Sequence, residues 1–286
     1  MRPVYGLSLL LETKRMARST FYYHLKSPCA EHRHEEAERR ITEIFHQSSG
    51  RYGYRRIAMQ LRNEGIVLNH KTVLRLMRKL GLSCRIRQKR YRSYRGTVGK
   101  VAPNILGRDF RAERPYQRLV TDVSQISVGG ERCFLSPVLD LFSREIVCYD
   151  ISDRADMAQI GNMLGKLFAV IDALPGKRDV MMHSDQGWQY QHIGYREALA
   201  KHGIVQSMSR KGNCLDNSVM ENFFGIMKSE LLYAKKFKTM KQFKEELKEY
   251  IEWYNNKRIK IKLNGMSPVQ SRIKFIKKNN MFNVQL

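Results

Sequence analysis

Residues 119–152, LVTDVSQISVGGERCFLSPVLDLFSREIVCYDIS, hold three β-rich segments in succession. LVTDVSQISV runs into RCFLSPVLDL through Gly129-Gly130, and RCFLSPVLDL runs into EIVCYDIS through a turn near FSR. Their β-branched and aromatic residues favour a pleated, half-buried surface, and the short connections predict an antiparallel meander. Further along, ADMAQIGNMLGKLFAVIDAL (155–174) has helical periodicity and stops at Pro175-Gly176. DVMMHSD (179–185) reads as a buried strand, YREALAKHG as a helix and IVQSMS as a strand. A meander followed by alternating helix and strand implies an α/β fold, a mixed sheet covered by helices.

Acids stand at unexpected places in this pattern. Asp122 interrupts LVTDVSQ, where β-forming segments are depleted of aspartate. Period-two alternation puts Val120, Asp122 and Ser124 on one face, with Leu119, Thr121 and Val123 on the other. Asp185 ends its strand before the loop QGWQY, and carboxyl ends of sheet strands are where ligand sites form. The third acid lies in GNCLDNSVMENFFGIMKSEL (212–231), a helix entered through a glycine-containing turn. On a helical wheel, Met220, Phe224, Met227 and Leu231 cluster, and Val219, Phe223 and Ile226 widen that arc. Asn217, Glu221, Gly225 and Lys228 share the narrow remaining stripe. Ser218-x-x-Glu221 also fits a capping box, which gives Glu221 a purely structural explanation. That explanation leaves Gly225, Lys228 and the two aspartates unaccounted for.

Three acids without a histidine–serine set suit hard divalent cations such as Mg²⁺, which prefers oxygen ligands and retains water and phosphate. A pair of such ions about 3.5–4 Å apart serves in-line phosphodiester displacement. The cations offset the cost of gathering like charges.

The overall charge points the same way. The 286 residues carry a formal net charge of +25, and residues 1–118 hold 27 Lys and Arg against 9 Asp and Glu. A concentrated basic excess favours a polyanion, because each neutralised phosphate releases counterions. DNA is the expected partner. Short helices are predicted across 7–48, then a helix–turn–helix over 49–82. In the latter, Ile57 and Leu61 precede a Gly65 turn, Asn69 caps the second helix, and Val73, Leu76, Met77 and Leu80 repeat at helical spacing. Lys71, Arg75, Arg78 and Lys79 make that second helix basic, with Lys71, Arg75 and Arg78 the candidate DNA contacts. The row RIRQKRYRSYRGTVGK (85–100) has basic residues and no acid. It predicts a linker lying along phosphates through Arg87, Lys89, Arg90 and Arg92. The tail TMKQFKEELKEYIEWYNNKRIK reads as a long basic amphipathic helix.

Five cysteines, odd in number and scattered, offer neither a disulfide framework nor a common zinc site. A reducing cytoplasm is expected. No run of about 18 apolar residues is present, so no membrane association is expected. The amino-terminal apolar patch lacks the features of a secretion signal.

Asp185 and Glu221 enclose 35 residues, with Asp122 upstream on a strand. This resembles the D,D-35-E pattern of integrase-core recombinases. TDVSQIS, LSPVLDLFSREIV, HSDQGWQY, SMSRKGNCLDNSVMENFFGIMKSE, YNNKRIKIKLNGMSPVQ and YGYRRI resemble the IS-three-type insertion-sequence transposases specifically. The resemblance covers nearly the whole chain. It implies an RNase H-like core and dependence on Mg²⁺ as two ions, with Mn²⁺ able to substitute. It also implies cleavage at terminal inverted repeats, then joining of the exposed 3′-hydroxyl to target DNA. Asp122, Asp185 and Glu221 match its catalytic, metal-binding acids. Lys228 matches a position that contacts the element's end, and Asn217, in the matching DN pair, is a further candidate DNA contact. His183, on the Asp185 face of its strand, is a candidate for the metal shell or a phosphate, with a satisfied structural histidine the equal alternative. Arg210 and Lys211 are further candidate phosphate contacts, and Trp188 and Tyr190 are expected to pack, with stacking on unpaired bases the alternative.

The implied organisation is a helical DNA-binding region over 1–83, a basic linker over 84–117, the catalytic core over 118–235 and a basic helical extension over 236–286. Two features depart from relatives of this pattern: no His/Cys zinc module is found, and no sustained apolar heptad. The chain reads as the downstream frame, with an upstream-frame protein and further copies of itself as expected partners on the bacterial nucleoid. Two alternatives remain from sequence: a non-catalytic DNA-binding regulator of transposition, and a structure-selective nuclease on the same core.

Overall fold

The computed structural model describes residues 6–26, 34–84, 101–174 and 179–279. The linker expectation, with Arg87, Lys89, Arg90 and Arg92, lies outside them. The chain divides into two units, residues 1–84 and 85–286. Among the described residues no helix is long and apolar enough to cross a membrane.

The first unit is helical: α1 (Leu7–Thr13), α2 (Arg18–Lys26), α3 (Glu35–Gln47), α4 (Tyr54–Asn63) and α5 (His70–Lys79). Ala37, Ile41, Ile44, Ile57, Leu61, Val73, Leu76 and Met77 form the buried faces of α3, α4 and α5. The predicted turn between α4 and α5 is present. Gly65 takes φ +88°, a left-handed conformation that costs a residue without Cβ little. Asn69 caps α5 by accepting the Lys71 N–H at 2.8 Å. Arg40 ties α3 to the end of α4 through Glu64, at 2.7 Å from Nη2 to Oε1.

The second unit is built on strands β1 (Arg118–Thr121), β2 (Ser124–Val128), β3 (Glu131–Asp140), β4 (Ile146–Ser152), β5 (Val180–Ser184) and β6 (Ile204–Met208). The segment read as one strand, 119–128, is two. Thr121 pairs with Val138 and Ser124 with Leu135, so β1 and β2 keep one register on β3 across the break. The break falls opposite Pro137, which has no N–H to donate to a ladder. Across the sheet the order is therefore β4, β3, β1 with β2, β5, β6. The first three positions are antiparallel, and β1–β5 and β5–β6 are parallel. This is the mixed α/β sheet of the RNase H-like fold.

Alternation along the strands sorts the core onto two faces. Val120, Ile126, Cys133, Leu135 and Leu139 meet Met220, Phe223, Phe224 and Met227 of α9 (Ser218–Met227). Phe243, Leu247, Tyr250 and Tyr254 of α10 (Met240–Asn256) join them there. Leu119, Val138, Met182 and Ile204 face the other way, toward α6 (Met157–Asp172) and α8 (Ile193–Lys201), which follows the short α7 (Trp188–Gln191). At the β3–β4 turn, buried Asp140 accepts from the backbone N–H groups of Tyr116, Phe142 and Ser143 and from the Ser143 hydroxyl. Burial pushes its carboxyl up, and those four donors oppose the rise.

The tail differs from expectation in one respect. The predicted long helix ends at Asn256, and a separate α11 (Pro268–Lys278) follows. Ser267 and Gln270 form a reciprocal capping box with Pro268 in the first turn. Between the helices the chain is fixed by a buried ion pair. Arg258, 1% exposed, donates to Glu230 through Nε at 2.9 Å and Nη2 at 2.6 Å. The Tyr250 hydroxyl donates to the same carboxylate at 2.9 Å.

Candidate active site

The two aspartates reach one place because their strands are parallel neighbours. Arg118 pairs with Met181, Leu119 with Met182 and Val120 with His183. Continued by two residues, that register sets Asp122 beside Asp185, each one position past the end of its strand. Neighbouring strands lie about 4.8 Å apart, and residues in register share a face. Val120 belongs to the cluster under α9, so Asp122 emerges toward α9. Both carboxylates are half-buried. Each also braces its own turn, Asp122 by accepting Val123 N–H at 2.7 Å and Asp185 by accepting Gly187 N–H at 2.9 Å.

Glu221 arrives on α9. The capping explanation fails here: Ser218 is already helical, and the residue before it, Asn217, makes no side-chain cap bond. Met220, Phe223, Phe224 and Met227 are buried while Glu221, Gly225 and Lys228 are half-buried, so these three keep the stripe that was expected, whereas Asn217 at its head is buried. Lys228 opens a π-helical turn (Lys228–Leu232), a distortion often found where a helix serves a site.

Electrostatics join the four groups. Burial raises the Asp122 carboxyl well above its ordinary value, followed by repulsion from Asp185 and Glu221, while Lys228 pulls it down. Burial likewise raises Asp185, against the Gly187 N–H. The nearby Tyr190 is fully buried and packs edge-on against Tyr195 at 5.3 Å, as expected for a packing residue. Burial and then the charges of Asp122 and Asp185 push its hydroxyl up. Trp188, in contrast, is 56% exposed.

Among the described residues no three His, Cys, Asp or Glu side chains close a metal cage by themselves. The donors do have the chemistry of an open hard-cation site. They are oxygen-only, partly desolvated and mutually repelling, which a divalent ion would relieve.

A stability prediction follows from the sign of these shifts. A carboxyl raised by burial and repulsion favours the fold while protonated. Without added metal, stability is therefore lost as pH climbs from the ordinary aspartate value of 3.8 through the raised one. Asp122→Asn should raise the metal-free melting temperature by a few degrees at pH 8, and the gain should shrink toward pH 4. Thermal unfolding across pH in a chelator checks this; a uniform gain at every pH would count against it.

Other candidates are placed differently. His183 is 0% exposed, with Nδ1 2.9 Å from the Ser207 hydroxyl and Nε2 3.1 Å from that of Ser209. Burial lowers its pKa to about 4, so it is a neutral structural histidine and not a phosphate contact. Asn217 is 3% exposed, which also removes it from a DNA-facing surface. Arg210 is engaged by Asp216, through Nε at 2.9 Å and Nη2 at 2.9 Å, rather than standing free for phosphate. Lys211 is exposed. In the helical unit Lys71, Arg75 and Arg78 are exposed on α5, spaced four and three residues apart on one face. Lys79 is paired with Glu38 at 2.8 Å.

Known proteins match this chain along most of its length. Residues 31–90 match an HTH-like domain, and residues 112–214 and 221–276 match an integrase core domain. InsK of insertion sequence element IS150 from Escherichia coli (strain K12) is 48% identical over 272 residues, covering 95% of each chain. The chain belongs to the IS3-type insertion-sequence transposases. The transposase of IS904 from Lactococcus lactis is 33% identical over 231 residues, covering 80% of this chain and 90% of its own. InsF of IS3A from E. coli (strain K12) is 32% identical over 232 residues, covering 80% of each. This transposase is thus a polynucleotidyl transferase of the metal-dependent DDE class, whose work is DNA cleavage and strand transfer.

Sequence reasoning missed the Asp216 hub. Asp216 is 0% exposed, and Arg108, 108 positions upstream, donates to it at 2.7 Å. A buried charge whose partner is so remote leaves no periodic trace. The Arg258–Glu230 pair escaped for the same reason.

Proposed function

We propose that Asp122, Asp185 and Glu221 are the catalytic acids of this transposase and hold two Mg²⁺ ions, with Mn²⁺ able to replace them. The observation that carries this reading is the β1–β5 register, which leaves Asp122 and Asp185 side by side under α9, within the field of Glu221 and Lys228. When bound, the cations activate the attacking oxygen and stabilise the departing one. The chain's own part is to hold the acids on two strand ends and one helix, so that little reorganisation accompanies the reaction. Lys228, on the acidic stripe, supplies a cation where a DNA end enters, and Lys211 meets a flanking phosphate. Lys71, Arg75 and Arg78 contact backbone phosphates from α5.

We further propose that the substrates are the element's terminal inverted repeats and target DNA, bound by a multimer that brings two ends together. An upstream-frame protein completes end recognition. The functional division follows residues 1–83, 84–117, 118–235 and 236–286, and the site of action is the nucleoid in the cytoplasm.

Labelled element-end DNA incubated with Mg²⁺, with and without the upstream-frame protein, tests the whole reading. Nicks leaving 3′-hydroxyl ends, followed by joined products, are the expected outcome. Hydrolysis without joining would point to a nuclease, and binding without cleavage to a regulator.

A further inference from the structure

We infer that Asp216 and Asn217 form a positioning device that fixes Glu221 relative to Asp122; this rests on the assignment of those acids above. Asp216 anchors the approach to α9. Its carboxylate accepts from Arg108 Nε at 2.7 Å, Arg210 Nε and Nη2 at 2.9 Å each, Arg210 N–H at 3.0 Å and Asn104 Nδ2 at 2.8 Å. Those donors occupy its lone pairs, so a fully buried acid so near the site is spent on structure and not on a cation.

Asn217 then makes the crossing. Its Nδ2 donates to the Thr121 carbonyl at 3.1 Å. Thr121 is the last residue of β1, directly before Asp122, and its hydroxyl is tied to the Pro137 carbonyl at 2.9 Å. Glu221 lies four residues after Asn217, about one helical turn along. One amide therefore links the backbone that carries Asp122 to the helix that carries Glu221. Its orientation is determined by chemistry, because a carbonyl only accepts and the NH₂ end must face Thr121. At the other end the buried Asn217 Oδ1 has no hydrogen-bond partner among the described residues. A side chain serving only to fill space would not place an amide acceptor there.

The test uses the full chain with Asn217→Ala, and with Asn217→Ser, which is small, polar and too short to reach Thr121. Three quantities are read: the Mn²⁺ concentration giving half the metal-induced rise in melting temperature, end-joining activity, and affinity for end DNA in chelator. Both variants should need about 10–100-fold more Mn²⁺ and join ends more slowly by a similar factor, with metal-free DNA affinity unchanged. A half-effect concentration within twofold of wild type would overturn the positioning role. So would a metal-free DNA affinity that falls in step with activity, which would make Asn217 a DNA contact. Asp185→Asn is run beside them. If it leaves the Mn²⁺ effect intact, the acids are misassigned and the positioning role falls with them. If it abolishes the effect while the Asn217 variants do not, only the positioning role falls.

Discussion

Glu221→Gln should fold like wild type and lose strand joining by at least about a thousandfold, the equivalent of several kcal/mol of transition-state stabilisation. The reason is a separation of duties on α9. Met220, Phe223, Phe224 and Met227 are buried, each contributing about 1.5–3 kcal/mol, so the helix stays docked whatever occupies the polar stripe. Glutamine has nearly the shape of glutamate but is a poor ligand for a hard cation. It could still serve a capping box, yet the helix does not begin with one. Circular dichroism, thermal unfolding and a joining assay on one preparation decide the matter. Retained joining with unchanged stability would remove Glu221 from the chemistry.

Arg258→Ala should be the most damaging single change away from the acids, at about 3–5 kcal/mol of stability. Arg258 is 1% exposed and its partner Glu230 12%, so the alanine variant takes the guanidinium from a carboxylate in a setting with little water, where the Tyr250 hydroxyl is a neutral donor and cannot replace the charge. Burial opposes the arginine's charge, but Glu230 and the tyrosines at positions 250 and 254 more than restore it. A double change, Arg258→Met with Glu230→Met, should recover most of the loss, since removing both charges also removes their desolvation cost. Urea unfolding of the three proteins gives the comparison. A loss below about 1 kcal/mol for Arg258→Ala would show the pair to be solvated. Glu230 lies in the turn that Lys228 opens, so the single variant should also disturb the site.

What sequence revealed and what it hid divide along a physical line. The meander, the alternating helices and the face carrying Asp122 all follow from local periodicity, and the structure bears them out. So do the Gly65 turn and the Asn69 cap, which depend on neighbours only a few residues away. Asp122 itself was visible because it violated a strand's composition. The break between β1 and β2 was not, since it arises opposite Pro137, a partner on another strand. His183 and Arg210 stand among the phosphate candidates, His183 with a structural role as its alternative, because sequence shows charge and polarity but not occupancy. Ser207, Ser209 and Asp216 already satisfy them.

The register between β1 and β5 also constrains how such a gene can drift. Side chains alternate along a strand, so one codon gained within either strand would swing its aspartate to the side of the sheet lined by α6 and α8. Substitutions on those strands can be absorbed by repacking, but a single-residue indel has no such remedy. Length polymorphism among descendants of this element should therefore gather in the turns, leaving the two short strands invariant in size even where their letters change.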